Sequence, residues 1–140
     1  SEKSAVFFYD RIVERRRMKP FTTTTDFVDF LYSIGVRKGQ LPVLFQCLRI
    51  ITNQELEQFE TFLQDFPSCL SIGGRCALIT FHSIEDRIAK YAFKELADNG
   101  TPDGKKFVLV NKKVIAPHYT EVQKNRASRS AKLRIIERVG

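Results

Sequence analysis

Residues 76–81, Cys-Ala-Leu-Ile-Thr-Phe, form one apolar run of strand length that stops abruptly at His82. Such a run fits a buried strand in a parallel sheet, whose two faces are both covered. Gly73-Gly74 supplies a turn before it. After it, Ser83-Ile84-Glu85-Asp86 has the layout of a capping box, so a helix is expected to start there. Ile84, Ile88, Tyr91, Ala92 and Leu96 then recur at helical spacing and are expected to form its buried face. Asn99-Gly100 through Asp103-Gly104 reads as a loop, and 107–110 as a second apolar strand. A short polar helix is expected around 119–125. The alternation Lys132-Leu133-Arg134-Ile135 fits a strand with one polar face.

The chain before this run is of a different kind. Residues 4–17 read as a helix ending in a basic stretch, with Pro20 as the stop. Thr22–Thr25 offer N-cap hydroxyls for a second helix bearing Phe27, Phe30, Leu31 and Ile34, closed by Gly35. Residues 36–40 form a short basic loop. Pro42 suits the first turn of a third helix, whose stripe is Leu44, Cys47, Leu48 and Ile51. Asn53 is the expected cap of a fourth, with Leu56, Phe59, Leu63 and Phe66 inward and Pro67 at its end. Four helices are thus followed by an α/β half.

Composition narrows the function. The chain has 140 residues, 43% of them hydrophobic, enough for a core. No apolar run approaches a membrane span. Ser1-Glu2-Lys3-Ser4 leads into a charged segment and not a signal peptide, and the missing initiator Met suggests a cut from something longer. Cys47, Cys69 and Cys76 are odd in number and lie in apolar stretches, which suggests buried thiols in a reducing, cytoplasmic compartment. With His82 and His118 as the only histidines, a zinc site is not expected, nor any other metal. The net charge of +7 suits a polyanionic partner such as RNA. Basic clusters at Arg11–Lys19 and Lys124–Arg138 point the same way.

Three stretches carry candidate chemistry. The first is Phe81–Arg87, where a strand becomes a helix. Ligands bind outside the carboxyl ends of strands in open α/β sheets, so His82 and Ser83 are candidates for a substrate pocket, with Arg87 nearby. Equally, Ser83 caps the helix and His82 bonds locally. The second is Gln46 and Arg49, polar among apolar neighbours, fit either for RNA contact or for an ion pair such as Arg49–Glu55. The third is Arg129, Lys132 and Arg134, which either track a phosphate backbone or form a solvated strand face. There is no G-x-G-x-x-G and no Walker loop. A Ser83-His82-Asp86 triad is excluded, because neighbours in one turn do not form that relay.

These stretches also carry a resemblance. Phe45-Gln-Cys-Leu-Arg-Ile50 with Asn53 and Glu55-Leu56-Glu57, Ser71-Ile-Gly-Gly-Arg75, Phe81–Arg87 with Lys90, and Arg129-Ser-Ala-Lys-Leu-Arg134 resemble, in order, blocks of the MraW/RsmH family. Pro20-Phe-Thr-Thr-Thr24 resembles a weaker one. The resemblance implies an S-adenosylmethionine-dependent methyltransferase acting on a cytidine N4 amine in small-subunit ribosomal RNA. It implies a Rossmann-like sheet with a helical insert, of which residues 1–40 would be the end of the insert and 41–140 the C-terminal part of the sheet domain. The glycine-rich cofactor loop would lie in an N-terminal half outside this sequence, leaving the chain inactive alone. His-Pro-Ala-Thr-Arg is replaced here by Gly39-Gln-Leu-Pro-Val43, and Asn-Pro-Arg by Asn125-Arg-Ala127. The competing expectations are a non-catalytic RNA-binding module that has lost its cofactor half, and a plain α/β domain used for protein contacts.

Overall fold

The computed structural model describes the backbone from Glu2 to Gly140 and the side chains from Phe7 onward. It divides into two compact units, residues 1–53 and 54–140.

The first unit is helical: α1 (Glu2–Met18), α2 (Thr24–Ser33), a 3-10 turn (Lys38–Gln40) and α3 (Leu41–Thr52). Thr23 caps α2, its hydroxyl accepting from the Asp26 N–H at 3.0 Å. Ile34 ends that helix, and Gly35 follows at φ +94°, a conformation that suits a residue without Cβ. Phe21 packs edge-on against Phe27, and Phe27 against Phe45 of α3. This aromatic link ties α3 to the helices before it. The compact unit therefore includes α3. Leu31, Val36 and Ile50 are its buried apolar residues. The stripe expected on α3 is turned the other way: Ile50 is buried, while Cys47, Leu48 and Ile51 are exposed. Asn53 does not cap the next helix but ends α3, its N–H bonding Arg49 O.

The second unit holds α4 (Glu55–Cys69), β1 (Arg75–Thr80), α5 (Ser83–Asn99), β2 (Phe107–Leu109), α6 (Tyr119–Lys124), a 3-10 turn (Arg126–Ser130) and β3 (Lys132–Arg138). Pro67 does not stop α4. It lies buried inside the last turns, and the helix runs on to Cys69. The strands form one sheet in the order β1-β3-β2, antiparallel throughout. The parallel strand expected at 76–81 is thus an antiparallel one, paired Cys76 to Ile136, Leu78 to Arg134 and Thr80 to Lys132.

This register sorts the sheet into two faces. Cys76, Leu78, Thr80 and Ile136 lie on the side covered by α4 and α5. There Leu63, Phe66, Phe93, Phe107 and Ile136 form the core. Ala77, Ile79, Leu133 and Ile135 lie on the other side. Apart from the Arg75–Glu137 ion pair that side is apolar and largely open, for Ile79 is 56% exposed and Val108 44%. The run at 76–81 is apolar on both faces, but only one is covered within the described residues.

Two further expectations change. On α5, Ala89 and Phe93 are the buried apolar residues, with Ile88, Ala92 and Leu96 partly buried, whereas Ile84 and Tyr91 are exposed. The cysteines are not buried thiols: Cys47 and Cys69 are exposed and Cys76 is half-buried. Burial pushes the Cys76 thiol pKa upward. Among the described residues, no helix is long and apolar enough to cross a membrane.

Candidate functional site at the end of strand β1

Where β1 ends, the backbone turns sharply into α5, and His82 occupies the N-cap in extended conformation. Its Nδ1 accepts from the Glu85 N–H at 3.3 Å. Glu85 reaches back, its Oε2 accepting from the N–H of Phe81 at 2.9 Å and of His82 at 3.3 Å. This is a capping box with histidine in the place usually held by serine or threonine. The cap is therefore His82 and not Ser83, which is the first residue of α5 and exposed.

The cap fixes the imidazole's chemistry. Because Nδ1 accepts, a neutral ring carries its proton on Nε2. Nε2 is buried and lies 3.0 Å from Glu85 Oε1, but without the alignment of a hydrogen bond. Glu55 brings a second carboxylate, and one ligand-type atom each from Glu55, His82 and Glu85 lie within 4.8 Å of one another. A cation would need the Nε2 lone pair, which this tautomer does not offer. The cluster instead gathers two carboxylates around the ring, with Nε2 nearest to Glu85 Oε1. His82→Ala is expected to cost about 1 kcal/mol of stability through the lost cap, and His82→Asn to recover most of it. Urea unfolding of both variants checks this; equal losses would place the role of His82 at Nε2 and not in the cap.

One turn on, Asp86 is buried and holds two cations of β3. Its Oδ1 accepts from Arg134 Nε at 2.9 Å and its Oδ2 from Lys132 Nζ at 3.1 Å. Burial alone would raise the Asp86 pKa, but the hydrogen bonds and charges of Arg134 and Lys132 outweigh it and hold the carboxyl below its usual range. Lys132 and Arg134 share a strand face, as expected, but not a solvated one: they point under α5, and the Arg134 side chain is only 14% exposed. Beside them the Thr80 hydroxyl is buried without a hydrogen-bond partner.

The structure thus brings His82, Lys132 and Arg134 to the start of α5. Ser83 and Arg87 are exposed on its first turns, and Arg129 is exposed on the 3-10 turn before β3. Gln46, half-buried, and Arg49, exposed, lie three residues apart on α3 in the first unit. Sequence reasoning missed the role of Asp86 and the nearness of Glu55 to His82. The signal for Asp86 was available: a carboxylate four residues after the helix cap, matched by two cations at alternate positions of a later strand.

The sequence profile of the MraW methylase family matches residues 2–139. The chain belongs to this family. Among curated relatives, a protein of Elusimicrobium minutum named ribosomal RNA small subunit methyltransferase H is 44% identical, over 91% of this chain and 43% of the relative. Proteins of the same name from Dictyoglomus thermophilum and Leptospira biflexa are 43% and 40% identical, covering 91% and 99% of this chain but 41% and 44% of their own lengths. The chain spans less than half the length of these relatives. Family membership covers both compact units, so the helical unit and the α/β unit belong to one family sequence.

Proposed function

We propose that this chain is the substrate-side part of an S-adenosylmethionine-dependent methyltransferase that modifies the N4 amine of a cytidine in small-subunit ribosomal RNA. The names of the relatives support an act on ribosomal RNA. The observation that carries the site is the polar cluster fixed at the carboxyl end of β1, in the stretch Phe81–Arg87 shared with the family.

The same reading explains the bare sheet face. A strand apolar on both sides belongs in a sheet with layers on both sides. We take the sheet to continue, Rossmann-like, in the part of the relatives beyond this chain's span. Residues 1–40 are then the end of a helical insert and 41–140 the return to the sheet domain. The residues present do not fit the cofactor: no glycine-rich loop is among them, and the His82–Glu85 capping box is closed on itself. S-adenosylmethionine would be held by the part of the relatives beyond this chain's span.

The chain's own residues have a narrower task. A cytosine N4 lone pair is delocalised into the ring, so the base must be splayed out and its amine held in line, with acceptors for its protons. Exposed Ser83 is placed to contact the base. His82 and Glu85 hold the turn that presents it, with Glu55 close by. Arg87, Arg129, Gln46 and Arg49 are proposed RNA contacts; Lys132 and Arg134 are first of all partners of Asp86, and add positive potential.

The test is a chimera in which this chain replaces the matching segment of the Elusimicrobium minutum relative, assayed for labelled methyl transfer to small ribosomal subunits. Transfer is expected, with a loss of about a hundredfold on Ser83→Ala combined with His82→Asn. A folded chimera that binds S-adenosylmethionine but transfers nothing would favour the non-catalytic RNA-binding module, and an unimpaired double variant would remove these residues from the site.

A further inference from the structure

A groove of about 450 Å³ opens where β2 ends, between α5 and the sheet. Its floor is apolar, formed by Phe93, Phe107 and Leu109. Its rim is cationic: Lys90 and Lys94, one turn apart on α5, and Lys112 beyond β2, all exposed. Arg134 also lines it and ties it to the Asp86 cluster. Asp98 is the single acidic residue among the lining.

From this we infer that the groove binds a segment of single-stranded RNA, a base against the apolar floor and its flanking phosphates on Lys90, Lys94 and Lys112. The inference rests on the RNA reading above but assigns a surface that reading does not use. Three observations support it. The volume suits a small ligand or a single nucleotide unit. An apolar floor bounded by separated cations matches the division of a nucleotide into base and phosphate. The chain's net charge of +7 favours a polyanion over an acidic peptide with few charges. The recess also selects against a duplex, whose bases are stacked inside and cannot reach the floor.

Fluorescence anisotropy of a short labelled single-stranded RNA with the 140-residue chain tests it. K90Q/K94Q is expected to weaken binding about tenfold and to lower the slope of log affinity against log salt by about 1.4, at about 0.7 per lost phosphate contact. The charge-matched control K38Q/K106Q is expected to leave affinity unchanged. RNA carrying 4-thiouridine is expected to crosslink to the peptide 107–112. Parental affinity in K90Q/K94Q overturns the proposal, as do crosslinks confined to other peptides, equal binding of a duplex, or equal competition by an acidic peptide. The two readings fail separately. If the chimera does not methylate but the anisotropy results hold, the groove stands as an RNA site alone. If the chimera methylates while K90Q/K94Q binds RNA as the parent does, only the groove falls.

Discussion

Replacing Asp86 with alanine is expected to lower the unfolding free energy by about 3–5 kcal/mol, because it removes one partner of a buried charge cluster and strands the others. The Asp86 side chain is 13% exposed and accepts from both Arg134 and Lys132. The two cations differ in their escape routes. Lys132, with a 39% exposed side chain, can swing its ammonium into water; Arg134, at 14%, cannot do so without disturbing α5. Most of the loss therefore comes from Arg134, and Asp86→Ala with Arg134→Met is expected to be more stable than Asp86→Ala alone. The pH dependence has a definite sign. The folded pKa of Asp86 is lowered, so its contribution is fully present above the unfolded value of about 3.9 and is lost as pH falls through the folded value. The parent should thus lose stability below about pH 4 in a step that Asp86→Ala lacks. Urea unfolding followed by circular dichroism at neutral and acidic pH measures both effects. A loss under about 1 kcal/mol at neutral pH would mean the cluster is a solvated ion pair of little consequence.

Much of the element order was legible, because helical spacing and turn residues are local signals. α2 with its Thr23 cap, α5 starting at the end of β1, α6, and β3 at Lys132 all lie where periodicity and capping chemistry put them. What was not legible depends on partners distant in sequence. The run at 76–81 reads as a parallel strand because it is apolar throughout. Only pairing with β3 reveals an antiparallel neighbour, and only the register reveals a face left bare. The stripe on α3 was misassigned because Leu44, Leu48 and Ile51 offer a helical pattern as good as the one around Ile50; the aromatic contact of Phe45 with Phe27 decides between them. At the end of β1 the cap expected of Ser83 is made by His82. Serine is the commoner cap, and nothing in the sequence says that the Glu85 N–H meets an imidazole nitrogen. Lys132 and Arg134 read as phosphate contacts or as a solvated face because alternation cannot show that a carboxylate waits under the helix.

The two faces of the sheet should respond to truncation in opposite ways, and the contrast tests whether a further layer belongs on the bare one. Phe93 is 1% exposed and packs against Phe66 at 5.7 Å between ring centres, within the cluster that includes Phe107 and Ile136. Phe93→Ala is expected to cost about 3–5 kcal/mol, because the surrounding side chains close such a cavity only in part. Ile79 lies on the opposite face and is 56% exposed. In this chain Ile79→Ala is expected to cost no more than about 1 kcal/mol, the scale of strand preference alone. In the chimera with the Elusimicrobium minutum relative, the same change is expected to cost about 2–5 kcal/mol, the range for a buried isoleucine cut to alanine. The cause is that an apolar strand face left open in this chain gains its covering from the rest of the chimera. Thermal and urea unfolding of the three variants, each against its parent, gives the comparison. A small loss for Ile79→Ala in both settings would show that the face stays open in the longer protein, and the sheet would then have to continue by its edge without a second layer.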